Sequence, residues 1–215
     1  MAEARRYNRF LVSLITDNLR RGGRVLDFGA GIGTFAQEVK DEGFEVEALD
    51  TEPVHQQAIR ARGIRSVASL LDIPDAYYTG VYSLNVLEHI EEDEEILREF
   101  HRILQPGGRA VVYVPAMAWV FTSMDVKVGH VRRYHLRDLI RKTGQAGFRI
   151  DTASYADSLG VLATLAFKAM GNKSGDLDTG SVRLYDTVGF PVSRAMDKVF
   201  GQVVGKNAYV VATKR

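Results

Sequence analysis

Apolar positions along this chain repeat with two different periods, and the two alternate. Residues 24–28, 44–49, 65–68, 81–84, 109–114, 148–154 and 208–213 are short runs rich in Val, Leu, Ile and aromatic side chains, set off by Gly, Asp, Asn or Pro, and they read as strands. Residues 3–20, 34–41, 53–62, 91–104 and 136–145 place apolar residues three and four apart, which predicts amphipathic helices. Pro53 suits a first helical turn, and Pro106-Gly107-Gly108 stops the helix before it. The run at 109–114 is apolar almost throughout, as expected of a strand covered on both faces. Strands alternating with helices predict an α/β fold with a mostly parallel sheet, right-handed crossovers, and a ligand site at the carboxyl ends of the strands.

The chain has 215 residues, enough for one domain with a substantial core, and no repeat or Pro/Ser-rich linker divides it. We read residues 1–215 as a single domain, with 1–156 and 207–215 as a ligand-binding core and 157–206 as a helical insertion suited to capping a substrate. Twenty-eight Lys and Arg against 27 Asp and Glu leave a formal charge of +1, which argues against a nucleic-acid partner. With no cysteine, disulfides, thiolate metal sites and cysteine nucleophiles are excluded, in keeping with a reducing compartment. The amino-terminal residues lack the pattern of a secretory leader, so a cytoplasmic location is expected. The most apolar stretch, 159–170, is interrupted by Lys168 and falls short of the about 20 residues that a membrane span needs.

Candidate chemistry begins at Val25-Leu26-Asp27-Phe28-Gly29-Ala30-Gly31-Ile32-Gly33, a glycine-rich turn between a strand and a helix where a backbone can close on a ligand. Asp50 ends the next strand, where a carboxylate can accept both hydroxyls of a ribose. Asp27 would repel a pyrophosphate but suits an ammonium group, which favours S-adenosylmethionine over a dinucleotide. A helix-capping role for Asp27 and a plain tight turn for the glycines are the alternatives.

Together with Leu84-Asn85-Val86-Leu87-Glu88-His89-Ile90 and Leu104-Gln105-Pro106-Gly107-Gly108-Arg109, these motifs resemble, in order, those of class I S-adenosylmethionine-dependent methyltransferases, in the small-molecule subgroup. The resemblance covers roughly residues 20–155. It implies a three-layer Rossmann-like fold with a seven-stranded sheet whose last strand runs antiparallel beside the sixth. It also implies S-adenosylmethionine as cofactor, held by Asp27, Gly29, Ala30, Gly31 and Gly33 at the methionine end, by Asp50 and Thr51 at the ribose, by Ser69 and Leu70 at the adenine, and by Asn85 beside the methionine. Two positions depart from the family pattern. Ser69 stands where an acid often bonds the adenine, leaving Asp72 as a substitute, and Tyr78-Thr79 replaces a Phe-Asp pair before the fourth strand.

Glu88 and His89 resemble a pattern in quinone-pathway O-methyltransferases where upstream carboxylates help bind a divalent metal. Here the upstream positions are Leu84 and Asn85, so only two ligands are expected and no metal is predicted. A structural role at a helix start is the alternative. The run Gly129-His130-Val131-Arg132-Arg133-Tyr134 resembles an element of small-molecule methyltransferases that arches over the methyl group. His130 is the first choice of general base for an oxygen acceptor and His89 the second. Arg132 or Arg133 is expected to bind an acidic group or enolate, and Tyr134 to position the acceptor. The competing reading has both arginines in ion pairs fixing the loop and His130 as a turn residue. His55, His101 and His135 read as solvated or capping, and the acidic run 91–95 as a solvated helix start.

The segment 157–206 holds an apolar stretch, a polar glycine-containing link, and an amphipathic helix over 181–200. It suits a lipophilic acceptor, a dimer face, peripheral membrane contact or an ordinary buried helix pair, and the oligomeric state stays open. The whole points to methyl transfer to a small, lipophilic acceptor, foremost at oxygen. Transfer to nitrogen or carbon, and a non-catalytic protein that binds S-adenosylmethionine, are the alternatives.

Overall fold

A computed structural model describes residues 4–169 and 179–215. The polar link expected between the last two helices falls at 170–178 and lies outside them. The strands are β1 (Arg24–Phe28), β2 (Glu45–Leu49), β3 (Arg65–Val67), β4 (Tyr78–Leu84), β5 (Leu104–Pro115), β6 (Phe148–Ala156) and β7 (Asn207–Lys214). They form one sheet in the order β3-β2-β1-β4-β5-β7-β6, with β7 antiparallel to both neighbours and the other pairs parallel. The helices are α1 (Arg5–Thr16), α2 (Thr34–Asp41), α3 (Pro53–Ala61), α4 (Asp93–Ile103), α5 (Ser123–Val128), α6 (Leu136–Gln145), α7 (Ser158–Ala169), α8 (Thr179–Leu184) and α9 (Phe190–Phe200).

Alternation along each strand divides the apolar side chains between two cores. Leu26, Phe28, Val81, Val112 and Val114 meet Leu97 and Phe100 of α4 and Leu139 of α6. Val25, Val46, Tyr82, Val111 and Tyr113 meet Leu11 and Ile15 of α1, Val39 of α2 and Ile59 of α3. The period of two in the strands and 3.6 in the helices thus yields three layers.

Some boundaries differ from those expected. β4 begins at Tyr78, because Tyr78 pairs with Leu104 before the register shifts to Gly80 opposite Arg109. The shift absorbs the Pro-Gly-Gly turn into β5 as an irregularity. α5 was not expected: its six residues carry too short a pattern to show a period, and a Thr122/Asp125 capping box starts it. The helix expected over 181–200 is interrupted by a π-helical turn, Tyr185–Gly189.

That turn ties the insertion to the other end of the chain. Asp186, buried in it, accepts hydrogen bonds from the Arg6 and Tyr7 N–H groups at the start of α1, both at 2.9 Å. A carboxylate there satisfies two orphan donors and meets the positive end of the helix. Asp186→Ala should cost about 1–2 kcal/mol in urea unfolding and speed amide exchange at residues 6–9 more than in the sheet.

Candidate functional site

The carboxyl ends of β1, β2 and β4 and the amino end of α2 form one half of the site. Gly29, Gly31 and Gly33 all have left-handed backbones, with φ of 77°, 54° and 77°. The reasons for glycine differ. A Cβ on Gly29 would lie 2.3 Å from Val86, so that glycine lets the β4 loop pack, whereas a Cβ on Gly31 would meet nothing within 4 Å. Gly31 therefore faces the open space a ligand needs. Asp27 is buried behind this turn, and its Oδ2 has no hydrogen-bond partner. Burial pushes its carboxyl up to about 7, with Tyr82 and the Ala36 N–H opposing and Asp50 adding to the rise.

Asp50 Oδ2 accepts from the Gly31 N–H at 2.7 Å, and Oδ1 meets the Glu52 N–H at 3.0 Å and His55 Nδ1 at 2.9 Å. His55, expected to be solvated, is a partner of this carboxylate; one turn into α3 it reaches back to the strand end, which spacing from a strand cannot reveal. Thr51 is exposed beside it. Ser69 caps a short turn, its hydroxyl accepting from the Leu71 N–H. Leu70, expected at the adenine, is 8% exposed and packs in the core, while Leu71 is 82% exposed. Asn85 holds φ 55° just past β4, a strained conformation for a side chain with a Cβ.

The other half is the loop between β5 and α6, closed on itself. Ala116 bridges Tyr134, the Met117 N–H donates to Tyr134 O and the Tyr134 N–H donates to Pro115 O. Asp125 sits buried at its centre. It accepts from the Thr122 N–H and hydroxyl, from His130 Nδ1 at 2.7 Å, and from Arg133 Nε at 2.7 Å and an η-nitrogen at 3.0 Å. Burial would raise the Asp125 carboxyl, but the His130 and Arg133 bonds outweigh it and hold the carboxyl well below the usual range.

His130 thus has Nδ1 committed to a carboxylate and Nε2 turned to Glu88, 3.7 Å from Oε1. Glu88 is fully buried in the short turn Leu87–His89, neither of its carboxyl oxygens has a partner, and burial pushes it up to about 8. The His89 ring stands edge-on to His130, 4.8 Å between centroids, with Nδ1 on Gly129 O. Burial, and then His130, lowers the His89 pKa. From the other end of the chain, the Tyr7 hydroxyl reaches Tyr113 Oη at 3.2 Å and lies in the field of Glu88 and Asp157. Tyr7 belongs to the helical pattern of α1, and nothing in that pattern marked it as part of the site.

Two expected acceptor-binding residues serve the loop instead. Arg133 also donates to Ala116 O, so its guanidinium is spent on Asp125 and the loop backbone. Tyr134 is buried, its hydroxyl 2.6 Å from Asp93 and 3.1 Å from Leu87 O. Arg132 pairs with Asp93 and bonds Glu91 O, the structural alternative for this residue. Glu88, His89 and His130 each offer one ligand atom, all within 4.8 Å of one another. His130 thereby adds a third donor to the two expected from the sequence. Donors around a small cation with bonds of about 2.1 Å lie some 3.4 Å apart, a tighter cluster than this one needs to be.

Comparison with known proteins places this architecture. The family described as a methyltransferase domain matches residues 1–153. The chain belongs to the methyltransferase-domain family. Malonyl-[acyl-carrier protein] O-methyltransferase of Pseudescherichia vulneris is 26% identical over 163 residues, 68% of this chain and 64% of that protein. The ubiquinone/menaquinone biosynthesis C-methyltransferase of Photorhabdus laumondii is 31% identical over 161 residues, 67% of this chain and 61% of that one. A crystal structure of an S-adenosylmethionine-dependent methyltransferase from Archaeoglobus fulgidus superposes with a TM-score of 0.67, at 19% identity, covering 98% of this chain and 92% of that one. The chain spans between about two fifths and two thirds of the length of the first curated relatives it matches. Among the described residues no helix is long and apolar enough to cross a membrane.

The cofactor of such methyltransferases is S-adenosylmethionine, and the site fits it. The open face at Gly31, the orphaned Asp27 oxygen and the Asp50 carboxylate are suited to its methionine and ribose portions. Below pH of about 7 Asp27 is protonated in the free protein and must lose that proton to meet an ammonium group. Affinity for S-adenosylhomocysteine, read by calorimetry, should therefore rise with pH and level off above about 7, by up to about tenfold per pH unit on the acid side; Asp27→Asn should bind weakly and without that slope.

Proposed function

We propose that this chain is an S-adenosylmethionine-dependent methyltransferase acting on an oxygen atom of a small, lipophilic acceptor, with His130 as general base. When bound, S-adenosylmethionine supplies a methyl group made electrophilic by its sulfonium. A hydroxyl attacking it must lose a proton, and the residues here provide for that loss. Asp125, accepting from His130 Nδ1 at 2.7 Å, fixes the tautomer with an unprotonated Nε2 and stabilises the imidazolium that forms. The Asp125–His130 pair is the observation that carries the reading, because it commits Nδ1 and leaves Nε2 as the ring nitrogen that takes a proton. Glu88 faces Nε2 and is mostly neutral below about pH 8, so the proton His130 gains meets no competing base of full charge. His89, its ring against His130, is the second candidate base.

The lipophilic part of the proposal rests on the same loop. Trp119, Val126, Val128 and Val131 are about half exposed or more around His130. Apolar surface gathered beside a reactive group suits an acceptor with a hydrocarbon or aromatic body. α7, α8 and α9 are read as a cap over the acceptor. We assign no metal to the reaction. The relatives named as O-methyltransferases support oxygen as the acceptor atom, and the one named as a C-methyltransferase supports carbon as the second reading.

His130→Ala should leave S-adenosylhomocysteine binding within about twofold while slowing methyl transfer by about 10²- to 10⁴-fold. Chelation should leave turnover unchanged. Retained turnover in His130→Ala would remove the base assignment, and activity lost to a chelator but restored by a divalent ion would reassign Glu88, His89 and His130 as ligands.

A further inference from the structure

With Arg132 and Arg133 committed, the acceptor side of the site retains one uncommitted cation among the described residues around it. Lys206 lies where three elements meet. Its C=O accepts from the Ala116 N–H at 2.8 Å, just past β5, and its N–H donates to Asp157 O at 3.1 Å, just past β6. It precedes β7, so its position is at the same sheet edge as Asn85, Glu88 and His130. Arg133 donates to the Ala116 C=O, so Ala116 links the Lys206 backbone to the Asp125–His130 loop.

The charged groups facing Lys206 are Asp157, Arg133 and Asp125. Asp125 has both oxygens filled by Thr122, His130 and Arg133. Asp157 takes three donors on Oδ1, from Tyr185, Ser193 and the Gly160 N–H, and its backbone is held at φ 62°. Neither carboxylate closes to within the 4.0 Å of an ion pair with the Lys206 ammonium, which has no hydrogen-bond partner among the described residues. Burial lowers the Lys206 pKa, with Asp157 opposing and Arg133 adding to the fall. Lys206 is half-buried, and a partly desolvated ammonium without an ion pair is stabilised by an anionic ligand. A non-glycine residue strained beside it belongs to a segment whose surroundings over-determine its shape, as at ligand sites.

We propose that Lys206 binds an anionic oxygen of the methyl acceptor, so that the acceptor is a lipophilic hydroxy compound carrying a carboxylate or a comparable acidic group. This rests on the methyltransferase reading above. Lys206 selects the acceptor and orients its hydroxyl toward His130; it takes no part in the proton transfer.

The test uses the full chain saturated with S-adenosylhomocysteine and two probes of the same shape, 4-hydroxybenzoate and its neutral amide, 4-hydroxybenzamide. The single tryptophan, Trp119, lies on the site loop and reports binding by fluorescence. The carboxylate should bind about tenfold or more tightly than the amide. That preference should vanish in Lys206→Met and survive in Lys206→Arg, with thermal melting showing that both variants fold. Equal binding of the two probes, no binding of the carboxylate, or a preference that persists in Lys206→Met would overturn the assignment. Failure to bind S-adenosylhomocysteine is read separately by calorimetry and would overturn the methyltransferase reading together with the inference drawn from it.

Discussion

The acceptor side of this molecule depends on one buried carboxylate. Asp125 gathers the Thr122 cap, the His130 ring and the Arg133 guanidinium on two oxygens, and through Arg133 it fixes the Ala116 carbonyl. Charge-assisted bonds of this kind offset the desolvation of both ions only if the set is complete. With Asp125 neutralised, Arg133 would be a buried cation without its partner, a loss of about 3–5 kcal/mol in comparable pairs. The orientation of the His130 ring is thus inseparable from the folding of the loop that carries it.

Buried acids elsewhere show what a structural role looks like. Asp93 takes Tyr134 and Lys142 and pairs with Arg132; Glu47 takes the Tyr78 hydroxyl and Arg65. Asp27 and Glu88 differ: each is buried at the carboxyl end of the sheet, Asp27 with one oxygen and Glu88 with both lacking a partner, and burial raises both carboxyls. Unsatisfied buried polar atoms are rare because they cost stability. Here they mark the two ends of the cleft, one suited to a cofactor's ammonium and the other to an acceptor's hydroxyl.

The parts legible in the sequence were those set by periodicity and by backbone need. Apolar runs match all seven strands near their observed positions, and the resemblance implied an antiparallel last strand beside the sixth; that strand, β7, lies between β5 and β6. The glycine turn, Asp27, Asp50 and His130 stand where they were expected, at strand ends and on the loop after β5. What could not be read was direction. Adjacent Arg132 and Arg133 look alike in sequence, yet the Ala116–Tyr134 bridge turns one outward to Asp93 and the other inward to Asp125. The same bridge buries Tyr134. Which of Leu70 and Leu71 enters the core is decided by a three-residue turn, with no hydrophobic period to follow. Tyr7 and Lys206 were missed for another reason: they come to the site from the two ends of the chain, and no local pattern connects them.

Those two ends are also tied together by the insertion. Asp186 in the π-helical turn holds the start of α1, and Phe190 packs against Tyr7 and Phe10 of the same helix. Eleven residues beyond Asp186, Asp197 accepts from the Asp157 and Ser158 N–H groups where β6 ends. One helical segment therefore grips α1, which brings Tyr7 over the cleft, and the β6 edge, which brings Asp157 beside Lys206. A regular α-helix would turn Tyr185 and Asp186 to other faces; the π-turn, a feature frequent at functional sites, lets successive residues reach Asp157 and α1. Through that turn, the segment after α8 joins the start of the amino-terminal helix to the end of β6.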